Sequence, residues 1–134
     1  MIRTRRVYEP PSPEDGRRVL VDRLWPRGMT KARASIDAWA KDLAPSSELR
    51  KWFDHRPERF ESFRLRFRQE LARQGVALEA IALEASKGPV TLVYAARDPR
   101  YANARVVAEL VEERLRTMGV RARTSGRSRA SGPG

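Results

Sequence analysis

Two apolar runs in this chain end in charge, and the charged residues are of types that bind anions or move protons. Val19-Leu20-Val21 is followed at once by Asp22 and Arg23, with Arg27-Gly28 a few residues on, and Val90 to Ala95 leads through Ala96 into Arg97-Asp98. A charged group at the end of a buried strand needs a partner, solvent or a ligand. Asp22 suits a general base or an acceptor for a ribose hydroxyl. Arg23, Arg27 and Arg97 carry planar forks that match phosphate or carboxylate bidentately. Gly28 lets backbone approach an anion closely, and Tyr94 stands near the second charged end as a further ligand contact. Asp98 and His55 complete the candidates for proton transfer. His55 is the one side chain whose unperturbed pKa lies near neutrality.

Each of these residues has a plainer role open to it. Asp22 with Arg97, or Arg23 with Asp98, would make structural ion pairs bridging the two strand ends, at a desolvation cost with no assured gain. Arg27 also reads as a solvated surface residue, and His55 as the cap of a helix C-terminus. One histidine and no cysteine leave only carboxylates to complete a metal site, so none is expected. With no Gly-x-Gly-x-x-Gly, no Walker loop and no Gly-x-Ser-x-Gly, no cofactor is expected either.

The elements that must position these residues follow from hydrophobic spacing. Ile2 to Val7 reads as an edge strand, where arginines are tolerated. Glu9 to Gly16 is a proline-rich loop with a tight reversal at Asp15-Gly16. A buried strand spans 18–24 and a loop connects Met29 to Ser35. Four helical segments then fill the middle. The first opens at Ser35 or Ile36, carries Trp39 and Leu43, and stops at Pro45. The second is capped by Ser46 or Ser47 and holds Leu49, Trp52 and Phe53. The third begins near Pro57, presents Phe60, Phe63, Phe67 and Leu71 on one stripe, and ends at Gly75. The fourth carries Leu78, Ile81, Ala82 and Ala85 and closes at Gly88-Pro89. The second buried strand is Val90 to Ala95. A final helix runs from about Ala102 to Met118, with Gly119 at its stop.

Strand, helical crossover, strand, helix predicts an α/β fold: a small sheet containing a parallel pair, flanked by helices, in one domain with a long helical crossover. A parallel pair brings Asp22-Arg23 and Arg97-Asp98 to the same sheet edge, where ligands of open α/β sheets collect. The domain covers residues 1–119. Residues 120–134, rich in Arg, Ser and Gly, have almost nothing to bury and read as a disordered tail.

The chain has 134 residues and a net charge of +11, which points to polyanionic partners. Arginine outnumbers lysine 24 to 4, so part of that charge fits a GC-biased coding sequence rather than a binding role. The arginines of 59–73 are offset from the phenylalanine stripe and interleaved with Glu58, Glu61 and Glu70, which favours a solvated helix face. Trp25, Trp39 and Trp52 lie beside apolar neighbours and read as core. No apolar run approaches the roughly 20 residues of a membrane span, and Met1 to Arg6 lack the apolar stretch of a signal peptide, so a cytoplasmic location is expected.

Val19-Leu-Val-Asp-Arg-Leu-Trp-Pro-Arg-Gly28, Ala44-Pro-Ser-Ser-Glu-Leu-Arg-Lys-Trp-Phe53 with His55, and Val90-Thr-Leu-Val-Tyr-Ala-Ala-Arg-Asp98 together resemble the DUF488 family, in its YeaO-like branch. The likeness covers about residues 2–118 and implies a small bacterial α/β domain of uncharacterised function. It also implies a His-Asn pair after the aspartate of the last strand. This chain has Tyr101 and Ala102 there, with Asn103 one place on. Two functional readings stay open. One is an anion-binding cleft at the strand ends for a phosphorylated or nucleotide-like small molecule, with an enzymatic version in which His55 or Asp22 moves a proton. The other is a non-enzymatic, basic nucleic-acid-binding protein.

Overall fold

Every residue of the run Val90 to Tyr94 is buried, and the physical reason is its position inside the sheet. A strand with a neighbour on both sides and layers on both faces has no exposed surface to dress with polar groups. The computed structural model describes the backbone of residues 1–130, with side chains described to residue 119. Its sheet has four strands: β1 (Ile2–Arg6), β2 (Arg17–Leu20), β3 (Ala38–Trp39) and β4 (Val90–Tyr94). They lie in the order β1-β4-β2-β3, and all three pairings are parallel. The α/β class, the parallel pair and the edge position of the first strand all agree with the sequence. Among the described residues five α-helices accompany the sheet: α1 (Lys31–Ala34), α2 (Ser47–Phe53), α3 (Phe60–Leu71), α4 (Gly75–Lys87) and α5 (Asn103–Ala130).

The two faces of the sheet are covered differently. Alternate residues Val90, Leu92 and Tyr94 of β4 and Val19 of β2 join the main core with the phenylalanine stripe of α3, Leu78 and Ile81 of α4, and Val106, Val107 and Val111 of α5. On the other face Val93 packs with Val7, Met29 and Ala34 in a smaller cluster. Part of that face is polar. In the β2–β4 register Arg18 lies beside Thr91, and Arg18 is 3% exposed. Its guanidinium reaches Asp15 Oδ2 at 2.5 Å and donates to the carbonyl oxygens of Ala34 and Ser35. Asp15 is itself fully buried and also receives Arg5 at 3.4 Å and the Ser12 N–H at 3.1 Å. Burial pushes the Asp15 carboxyl up, but the Ser12 N–H and the charges of Arg18 and Arg5 outweigh it and hold it below the usual carboxylate range.

Gly16 makes this arrangement possible. Its φ is 61°, and a Cβ there would collide with the carbonyl oxygen of Pro89. The chain can therefore pass from the short turn Pro13–Asp15 directly into β2 beside the start of β4.

Several local expectations are corrected. Met29 to Ser35 holds α1, a single turn capped by the Thr30 side chain, which accepts from the Arg33 N–H. The helix expected around Trp39 is replaced by β3 and a short turn at Lys41–Leu43. There the N–H groups of Asp37 and Ala40 donate to the carbonyls of Arg18 and Leu20, so ladder pairing outweighs a helix-like apolar spacing. Gly75 does not end a helix; it opens α4 after a tight turn at Ala72–Gln74. The last helix does not stop at Gly119, and its backbone continues to Ala130. The expected tail at 120–134 falls on residues whose side chains, and for 131–134 whose backbone, lie outside the described residues. No helix among the described residues is long and apolar enough to cross a membrane.

Substituting Asp15 by Ala leaves the Arg18 guanidinium buried without its counter-charge. The expected loss is about 3–5 kcal/mol in free energy of unfolding, measured by urea titration at neutral pH. The folded carboxyl sits below its unfolded value, so the wild-type contribution is complete above the ordinary carboxylate range and fades as pH falls through it. The difference between the two proteins should therefore narrow in acid.

Candidate functional site

β1, β4 and β2 run the same way, so their carboxyl ends open on one side of the sheet, and a cavity of about 270 Å³ lies there. Tyr8 comes from the end of β1, Ala95 and Ala96 from β4, and Asp22 to Arg27 from the loop after β2. Arg50 and His55 reach it from α2 and the junction beyond, and Tyr101 and Asn103 from the approach to α5.

Side chains from several elements fasten the loop after β2. The Trp39 indole donates to the Asp22 carbonyl at 2.7 Å, and Tyr8 donates its hydroxyl to the Arg27 carbonyl at 2.9 Å. Trp25 closes the loop on itself by donating to the Met29 carbonyl at 2.7 Å, and Arg23 donates Nε to the Pro45 carbonyl at 3.3 Å. The Trp25 and Trp39 rings meet edge to face at 5.5 Å. Gly28 turns the chain with φ 73°, a conformation that favours glycine.

Asp22 joins two strand ends. Its Oδ2 accepts the Ala95 N–H at 2.8 Å, just past β4, and Asn103 Nδ2 donates to the neighbouring Val21 carbonyl at 2.9 Å. Burial pushes the Asp22 carboxyl above the usual carboxylate range, against the opposing effects of the Ala95 N–H, the Asn103 amide and the Arg50 charge. The cavity wall therefore combines one carboxylate with three guanidinium groups, Arg23, Arg27 and Arg50. Among the described residues none of the three forms an ion pair.

The sequence candidates divide into three groups. Asp22, Arg23, Arg27 and His55 line this cavity together. Arg97 and Asp98 face an adjoining chamber instead. Tyr94 lines neither; it is 2% exposed and belongs to the core, where burial and then Glu9 raise its hydroxyl's pKa. The bridging ion pairs are absent: Arg23 bonds to Pro45, and Asp98 binds Arg100 through both oxygens, at 3.1 and 2.9 Å. The hydrogen bonds that Arg100 donates from its side chain and backbone hold the Asp98 carboxyl below the usual range. His55 does not cap α2, because the backbone N–H of Asp54 does so by donating to the Arg50 carbonyl. Asp54 and His55 both have left-handed backbone, with φ of 50° and 54°. The junction thus turns twice in a conformation that costs non-glycine residues energy.

Arg50, Tyr8 and Asn103 are cavity residues that strand-end reasoning did not pick out. Asn103, displaced by one position from the family pattern, nonetheless supplies its amide here. Arg50 adjoins Leu49 on a short amphipathic helix, and its spacing carries no signal. The tryptophans are also less buried than expected. Trp39 is 36% exposed, Trp25 lines the cavity, and Trp52 lies half-buried beneath Arg66 at 4.2 Å. On α3, Arg64 binds Glu109, and Arg68 binds Glu109 and Glu113, so part of that arginine face is an ion-paired seam against α5.

Comparison with known proteins adds the following. The family model described as "Inactive DUF488-N3 subclade" matches residues 1–131. An uncharacterized protein of Mycobacterium tuberculosis is 43% identical over 113 residues, which cover 84% of this chain and 95% of the relative. The uncharacterized protein YeaO of Escherichia coli is 41% identical over 108 residues, covering 81% and 94% respectively. No solved structure matches.

Asp22→Asn keeps an oxygen for the Ala95 N–H and removes a buried charge. Because the folded carboxyl titrates above its unfolded value, the ionised form opposes folding at neutral pH, and that opposition is relieved as pH falls through the raised pKa. The variant is expected to melt at or above the wild-type temperature at pH 7. Its advantage should vanish near pH 4, as followed by circular dichroism melts across that range.

Proposed function

The chain belongs to the DUF488 family, and from the geometry of its cleft we propose that it binds a phosphate-bearing small molecule, as a binding domain rather than an enzyme. The observation that carries this reading is the set of guanidinium groups of Arg23, Arg27 and Arg50 around one cavity, with Asp22 as its lone carboxylate and no ion pair occupying them. Arginines whose charge is not already matched by the protein keep their forks for an external anion. The amino end of α5, at Asn103, borders the same cavity and adds the positive end of a helix dipole. Position agrees as well, since the cavity lies beyond the carboxyl ends of three parallel strands.

Binding without turnover fits the state of the groups that would move protons. Asp98 is engaged by Arg100, and Asp22 holds the backbone of Ala95 through one oxygen. The matching family description, an inactive subclade, favours the same reading.

Arg27→Ala and Arg50→Ala remove exposed side chains with no ion-pair partner, so both should leave the melting temperature nearly unchanged. Each is expected to weaken phosphate binding about tenfold or more, since a hydrogen bond to a charged group contributes about 1.5–3 kcal/mol. Calorimetric titration with ribose 5-phosphate and inorganic phosphate checks this. Wild-type affinity retained by both variants would remove the proposal.

A further inference from the structure

A second chamber, of about 560 Å³, opens beside the anion-binding cavity. Pro57, Arg97 and Asp98 belong to it alone, whereas His55, Ala95, Ala96 and Tyr101 line both chambers. The two spaces therefore meet along a boundary made of two small residues and two aromatic rings. The chambers also differ in chemistry. The first gathers three arginines, while the second contains Arg97 and an Asp98 already bound to Arg100.

Size separates what each chamber can hold. Pockets for small molecules span about 300–1,000 Å³, so the first chamber alone falls just short of that range while holding about 270 Å³. It suits an anionic group and the sugar attached to it, with Asp22 as acceptor for a hydroxyl. Whatever else the molecule carries must pass His55 and Tyr101 into the second chamber.

Two aromatic rings border the passage between the chambers. Tyr101 meets Phe60 at 5.5 Å with the two rings inclined at 65°, and the Arg100 guanidinium lies over its ring at 5.2 Å, so its plane is held from two directions. His55 is exposed, makes no side-chain hydrogen bond among the described residues, and follows the strained double turn at Asp54-His55. Strain of this kind persists only where the surrounding structure imposes it, and it gathers at ligand sites. Here it coincides with the junction of the two chambers.

We propose that the bound molecule is a nucleoside 5′-monophosphate, its phosphate among Arg23, Arg27 and Arg50 and its base beyond the His55–Tyr101 boundary. This rests on the anion site proposed above and names the remainder of the ligand. Base–aromatic stacking supports a gain of about tenfold or more over the sugar phosphate alone.

The test compares inorganic phosphate, ribose 5-phosphate and the 5′-monophosphates of adenosine, guanosine, cytidine and uridine by calorimetry on the full chain. At least one nucleotide is expected to bind tenfold or more tightly than ribose 5-phosphate. Tyr101→Ala should abolish that increment, read as the ratio of nucleotide to ribose 5-phosphate affinity falling to about one. His55→Gly, which suits the left-handed backbone and spares the fold, should do the same and serves if the tyrosine variant fails to fold. Equal affinity for ribose 5-phosphate and all four nucleotides, or an increment that survives a folded variant, overturns the nucleotide assignment while the anion site stands. Absence of binding by every phosphate compound overturns both.

Discussion

Parallel pairing of β4 with strands on both sides is the constraint on which the rest depends. Its five residues pair with β1 and the first four of them with β2, and the bonds continue past the strand ends. The Val7 N–H donates to the Tyr94 carbonyl and the Val21 N–H to the Val93 carbonyl. Because all three strands run the same way, the points where hydrophobic side chains give out coincide. Asp22, Tyr8 and Ala95 come from three distant parts of the chain and still border one space. An antiparallel β2 would place Asp22 at the far end of the molecule from Ala95.

Charge is sorted by this frame. Asp15 and Arg18 are sealed beneath one face of the sheet, where each satisfies the other. Arg64, Arg68 and Arg114 are paired with glutamates across helix contacts. Among the described residues Arg23, Arg27 and Arg50, around the cavity, form no ion pair. The net charge of +11 is the excess that stays after such pairs cancel, and the cationic groups without an ion pair include those on the wall of a single cavity.

The buried strands were legible in the sequence because continuous aliphatic runs such as Val19-Leu20-Val21 have few other uses, and the stripe Phe60, Phe63, Phe67, Leu71 was legible because only a helix aligns it. β3 was hidden for a physical reason. Two residues carry no periodicity, and the spacing of Ile36, Trp39 and Leu43 suits a helix until Asp37 and Ala40 find carbonyls on β2. Of the residues that line the cavity, Asp22, Arg23, Arg27 and His55 could be named from chain position alone. Arg50 and Tyr8 could not, because they reach the cavity through the packing of α2 and the end of β1, which no local pattern encodes. Tyr94 shares the core face of Val90 and Leu92 by strand alternation, and its burial there keeps it from lining either chamber.

The fastening of the loop after β2 has an optical consequence. Trp25 and Trp39 hold that loop through their indole N–H groups, and their rings touch edge to face at its base. Two coupled indoles in a fixed asymmetric geometry give rise to near-ultraviolet circular dichroism. With Trp52 set apart on α2, the emission and dichroic bands of this pair report on the cleft from within, without any added label.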